Sequence, residues 1–172
     1  MLLMKKPTIY LDTNIVSALH YDGTDINTLS RRMATRDWWE GEHEHFSIWV
    51  SSLTELELAQ GVYRQQADCL RFVRRLKHVP ISKEIRRLAE EFLTAGVIPD
   101  SKPADALQLA LAAGHQADYL LTWNYAHLAN PVTQAKSERL LLKWQWRSPL
   151  LVSPESIPQV RLNQTIRRKS DA

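Results

Sequence analysis

The chain is 172 residues long and 44% hydrophobic, enough for the core of one domain, since domains typically run to ~100–200 residues. Six Trp, five Gly and eight Pro exclude general disorder, collagen-like repeats and low complexity, while the single cysteine, Cys69, excludes an internal disulfide framework and fits a reducing cytoplasm. The formal charge of +3 is too small an excess to mark a nucleic-acid binder by itself.

The N-terminus places Lys5 and Lys6 after a short apolar start, the reverse of a secretory signal. No stretch approaches the ~18 apolar residues of a membrane helix, so a cytoplasmic protein without membrane contact is expected. Residues 8–11 read as a strand ending at Asp12. Residues 29–42 read as a helix in which Leu29, Met33 and Trp38/Trp39 share a buried stripe, and 46–52 as a second strand rich in branched and aromatic residues. A helix over 53–60 follows, started by Ser51 or Ser52 and ended by Gly61. Over 69–77 the apolar Cys69, Phe72, Val73 and Leu76 predict another helix. Residues 79–82 read as a short connecting or edge strand. Residues 83–95 form an amphipathic helix closed by Gly96, and Pro103 opens a further helix closed by Gly114. Residues 119–122 are expected to be the central strand, and 150–152 a late one.

This alternation predicts an α/β fold, a three-layer sandwich around a mostly parallel sheet. Residues 1–160 make one domain. Residues 161–172 form a basic, mobile tail in which Arg161, Arg167, Arg168 and Lys169 against Asp171 carry the whole excess charge.

Ligands of open parallel sheets bind beyond the carboxyl ends of the strands. Asp12 ends the first strand, Glu57 lies on the helix after the second, Asp105 falls in the first turn of the helix that Pro103 opens, and Asn124 follows the strand at 119–122. Together they would make an oxygen-rich pocket suited to a hard divalent cation, which would offset their repulsion, polarise a phosphodiester and acidify water. Singly, each has a plainer role: Asp12 as a helix cap, Glu57 as a solvated helix residue, Asp105 as a favourable charge at a helix N-terminus, and Asn124 as a turn residue.

The ordered set resembles the PIN-domain family, the fold of the toxin-type ribonucleases in VapBC toxin–antitoxin modules, over about residues 8–153. Tyr10-Leu11-Asp12-Thr13-Asn14 resembles its first-strand signature. The segment from Ser51 to Gly61 resembles the second motif, with a spacing that favours Glu57 over Glu55, and 105–110 resembles the third. Thr122-Trp123-Asn124 is similar to a subgroup with Trp-Asn after the last core strand.

The resemblance implies a Mg²⁺- or Mn²⁺-dependent endoribonuclease, the toxin of a type II module, with an RNA substrate, an antitoxin partner and a homodimeric state. It implies Asp12, Asp105 and Glu57 as metal-holding residues, Asn124 as the fourth catalytic position, and Thr13, Asn14 and Thr122 as substrate-positioning residues. Many PIN enzymes carry Asp where this chain has Asn124, so one firmly held metal is expected. The same Asn motivates a second reading, a catalytically weak or inactive PIN-like module binding RNA or protein. A haloacid-dehalogenase-type phosphatase ranks below both, because Asn14 stands where that class has a second Asp.

Among other candidates, His43 and His45 read as a surface turn rather than a zinc site, and Cys69 as buried packing. Trp38/Trp39 and Trp144/Trp146 suit core or interface positions better than base stacking. His127 reads either as a residue of the site's mouth or as an ordinary turn residue. Asp118, at a strand's start, is too far from the site to serve it.

Overall fold

The computed structural model describes residues 6–157; the expected tail, the boundary at 160 and residues 1–5 lie outside them. Five strands form one sheet: β1 (Thr8–Leu11), β2 (Ser47–Val50), β3 (Lys77–His78), β4 (Tyr119–Leu121) and β5 (Leu150–Val152). All are parallel, in the order β3-β2-β1-β4-β5. Among the described residues seven α-helices accompany them: α1 (Thr13–His20), α2 (Ile26–Glu42), α3 (Ser52–Leu58), α4 (Gln66–Val73), α5 (Lys83–Thr94), α6 (Pro103–Gly114) and α7 (Pro131–Trp144).

Successive strand residues face opposite sides, and the two cores follow from that alternation. Tyr10 and Leu120 join Leu88, Phe92, Leu109 and Leu141 on the face covered by α5, α6 and α7. Ile9, Leu11 and Leu121 join Ile15, Trp38, Cys69 and Val73 on the face covered by α1, α2 and α4. The result is the expected three-layer sandwich. No helix among the described residues is long and apolar enough to cross a membrane.

Local chemistry starts the helices where the site needs them. Ser51 and Thr54 form a reciprocal capping box at the head of α3, and the Tyr10 hydroxyl meets Ser51 Oγ at 2.8 Å, tying that head to β1. Pro103 occupies the first turn of α6, where a missing N–H costs nothing. Asn130 caps α7 by accepting from Thr133 N.

Several expectations need correction. The central strand is β1; β4 is interior but lies one place off centre, between β1 and β5. The helix expected over 69–77 ends at Val73, and Lys77–His78 pairs in parallel with Trp49 and Val50. The edge strand therefore comes two residues before the 79–82 segment, with the Lys77 ammonium 4.7 Å over the Trp49 ring. Met33 is 66% exposed rather than buried, because α2 turns Thr35, Trp38 and Glu42 inward. Helix α7 had no counterpart among the predicted elements.

Candidate functional site

Strand order reverses between β1 and β4, the place where parallel sheets open a crevice. Leu11 pairs with Leu121, so the next residues, Asp12 and Thr122, come side by side at the carboxyl edge. Asp12 stands at the N-cap position of α1, yet its side chain makes no cap hydrogen bond. Thr122 Oγ1 and Asn14 Nδ2 instead donate to its Oδ2, at 2.6 and 2.7 Å. Both side-chain donors thus converge on one carboxylate oxygen, and the Asn14 backbone also hydrogen-bonds the group.

The two donors are themselves fixed. Asn14 Nδ2 also reaches Thr122 Oγ1 at 3.0 Å, and Asn14 Oδ1 accepts from Trp123 N at 2.9 Å. Thr122 is fully buried and also accepts from Asn124 N. Thr122, expected to position substrate, lies fully buried, and its side chain contacts Asp12, Asn14 and Asn124.

Asp12 is 6% exposed, and its carboxyl is pushed up from 3.8 to about 6. Burial is the main cause; Thr122 pulls the other way, while Glu57 and Asp105 add repulsion. These three acids thus share one field although they come from three separate segments.

Glu57 is gripped by the helix opposite. Thr13 Oγ1 and Gln108 Nε2 both donate to its Oε2, the latter at 2.8 Å, and Gln108 also reaches Thr13 Oγ1 at 3.2 Å. Gln108 is 1% exposed, and its Oε1 is buried without a hydrogen-bond partner. It lies one helical turn after Asp105, on the same face of α6. That spacing was the available signal for a residue the sequence reading missed. Glu55 faces elsewhere, paired with His78 at 2.8 Å and Arg74 at 3.5 Å.

Asp105 is oriented by the segment after β4. Asn124 Nδ2 donates to its Oδ2 at 3.0 Å, and His127 Nδ1 lies 2.9 Å from the same oxygen. Asn124 Oδ1 in turn accepts from His127 N. Both ends of the Asn124 amide are therefore engaged in holding Asp105 and its own loop. His127 belongs to the site's mouth rather than to an unrelated turn.

Whether these residues suit a divalent cation can be judged from the donors. Among the described residues no Lys or Arg is paired with Asp12, Glu57 or Asp105, and the His127 imidazole beside Asp105 is the one basic group in contact with them. No group of three His, Cys, Asp or Glu there is gathered closely enough to enclose an ion alone. Mg²⁺ ordinarily takes only one or two carboxylates and completes its shell with waters and substrate phosphates. Carboxylates held by side-chain donors through one oxygen each, with no Lys or Arg beside them, fit that habit.

The other candidates fall away from the site. Asp118 sits at the amino edge, accepting from Thr8 N and Oγ1 and pairing with Arg147 at 2.8 Å. Burial would raise its pKa, but Thr8 and Arg147 outweigh it and hold the carboxyl below its usual range. His43 stacks on Trp39 with centroids 4.5 Å apart. Trp38 is in the core, and Trp144 donates to Glu91 Oε2 at 2.8 Å.

Comparison with known proteins gives a match to the family model described as PIN domain, over residues 9–131. Among solved structures, the fold is similar to VapBC2 from Rickettsia felis bound to a DNA fragment from their promoter, at TM-score 0.52 and 17% identity, covering 85% of this chain and 98% of that one. It is also similar to FitAcB from Neisseria gonorrhoeae, at TM-score 0.52 and 14% identity, covering 87% and 99%. No curated protein sequence matches the chain.

Proposed function

This chain belongs to the PIN domain family, and we propose that it is a metal-dependent endoribonuclease, the toxin of a type II toxin–antitoxin module. The observation that carries the reading is the buried Asp12 carboxylate, raised in pKa by its burial and by two neighbouring acids, with no Lys or Arg paired to any of the three among the described residues and His127 alone beside Asp105. A cation with a phosphodiester oxygen in its shell is the partner that such a set lacks. Mg²⁺ or Mn²⁺ bound there would polarise the phosphodiester and lower the pKa of a water.

Asp12 and Asp105 are the principal carboxylates for the ion, and Glu57 the third. Thr122 and Asn14 aim Asp12; Asn124 and His127 aim Asp105; Thr13 and Gln108 aim Glu57. Asn124, with both ends of its amide committed, supports one firmly held ion rather than two. The similarity to VapBC2 and FitAcB, whose names denote complexes, supports an antitoxin partner and accompanies the toxin reading, as does a homodimer.

Purified protein should cleave single-stranded RNA on addition of Mg²⁺ or Mn²⁺, and chelation with EDTA should stop it. Cleavage that persists in excess EDTA, in a preparation free of contaminating nuclease, would overturn the metal-dependent reading. Binding of RNA at undiminished strength with no cleavage under any divalent ion would favour the inactive binding module instead.

The positioning residues carry a smaller prediction. Thr122→Val keeps the shape of a buried side chain but removes the donor to Asp12. Loss of such supporting contacts typically costs ~10–100-fold in metal affinity or activity. A Mg²⁺ titration of the cleavage rate should show the half-saturating concentration rising; an unchanged curve would show that Asp12 is aimed by Asn14 alone.

A further inference from the structure

Beside the carboxylates lies an open cavity of about 360 Å³ lined by Asn14, Arg31, Trp123, Asn124, Tyr125 and Ala126. Its size falls within the ~300–1,000 Å³ of small-ligand sites. It shares Asn14 and Asn124 with the acid cluster, so whatever fills it abuts the reacting centre.

Two of its walls are unusual. Arg31, on α2, holds its guanidinium 5.7 Å from the centroid of the Trp123 ring. Among the described residues that cation makes no close ion pair or hydrogen bond; its charge acts on the nearby Asp25 carboxylate, which accepts from Thr28 N and Oγ1. Trp123 is itself fixed, 4% exposed, with Nε1 donating to Thr35 Oγ1 at 2.9 Å. Thr35 lies one turn along α2 from Arg31 and donates to the Arg31 carbonyl. The ring thus clamps α2 and leaves at the cavity a cation with no close ion pair among the described residues. Opposite, Tyr125 rests edge-on against Trp123 at 6.2 Å and is 45% exposed, leaving ring surface open to solvent.

Resting on the ribonuclease reading, we propose that this cavity is the binding site for the RNA nucleotide adjoining the scissile phosphate, with Arg31 on its phosphate and Tyr125 stacked on its base. The acid cluster repels an incoming phosphate, so a guanidinium beside it is the compensating charge that substrate requires. Arg suits the role because its planar donor fork matches two phosphate oxygens. An aromatic ring accepts any base by its π-face, so this subsite contributes affinity without choosing sequence.

The test uses Asp12→Asn protein, so that RNA survives, and a short fluorescein-labelled single-stranded RNA of mixed sequence, read by anisotropy over a salt series. Adding Arg31→Gln should weaken binding and flatten the slope of log affinity against log salt by about 0.7, the share of one phosphate contact on a single strand. Adding Tyr125→Ala should weaken binding roughly 10-fold with the slope unchanged, while Tyr125→Phe retains the parent affinity. Arg31→Lys, which keeps the charge, should keep the slope, and guards against a folding effect of the Gln variant. If all four variants bind as their parent does, while protein with Asp12 intact cleaves RNA, the subsite is wrong and the ribonuclease reading stands. If the parent neither binds RNA nor cleaves it with Asp12 intact, both fail together.

Discussion

Replacing Asp12 by Asn should lower RNA cleavage by roughly 10³-fold or more, about 4 kcal/mol of transition-state stabilisation. The fold should survive. The two donors on Asp12 converge on Oδ2, so an Asn carbonyl oxygen can take that place and accept both, leaving its NH₂ where Oδ1 stood. What disappears is the charge on an almost wholly buried acid that sits where strand order reverses. Asp105→Asn should act in the same direction through the opposite wall. There the amide can still accept from Asn124, so again charge is lost before structure. The measurement is single-turnover cleavage of a labelled RNA, at saturating Mg²⁺, by variants purified in parallel with the parent. Rates within a few-fold of the parent for both variants would place the chemistry elsewhere.

What sequence could and could not reveal of this site follows from how each residue is placed. Asp12 alone reads as either a helix cap or a site acid, and the order of the other polar positions along the chain decides between them. Glu57 and Asp105 gained their meaning from order along the chain and from spacing to Gly61 and Pro103. Gln108 offers only its one-turn spacing from Asp105, His127 reads equally as a turn residue, and Arg31 looks like an ordinary solvated charge; the packing of α6, the post-β4 segment and α2 brings the first two to the acids and Arg31 to the cavity beside them. The same limit shows in the fold. Helix α7 buries Thr133 and Ser137 alongside Leu140 and Leu141, so half of its inward face is polar and the hydrophobic period is hidden. Strand β3 has two residues, both exposed, and pairing with β2 rather than any pattern of its own makes it a strand. The helix over 69–77 was overextended for that reason: Lys77 continues a helical sequence but is claimed by Trp49 across the sheet edge.

In metal-free protein the same Asp12→Asn substitution should raise stability at neutral pH, and the gain should vanish in acid. A carboxyl whose pKa rises from 3.8 to about 6 on folding binds more protons folded than unfolded between those values. Stability therefore falls as pH climbs through that window, by about 3 kcal/mol once pH exceeds 6. Below about pH 4 both states are protonated and the penalty is gone. The Asn variant never ionises, so its advantage over the parent is greatest near pH 7.5 and close to nil near pH 4. For a chain of this size the gain corresponds to roughly 6–12 °C in Tm. Taking the difference between the two proteins at each pH cancels the titrating groups distant from Asp12, while Glu57 and Asp105, whose charges act on it, contribute to the difference. Adding Mg²⁺ should then raise the parent's Tm and leave the variant's nearly unmoved, because an ion that binds only the folded state stabilises it by mass action. Thermal melts in EDTA and in Mg²⁺, across pH 4 to 7.5, read both effects. A Tm difference independent of pH would mean that Asp12 is compensated within the protein, and the case for an ion would lose its foundation. A site that destabilises its own empty fold, through a charge that catalysis requires, is the signature of residues kept for function.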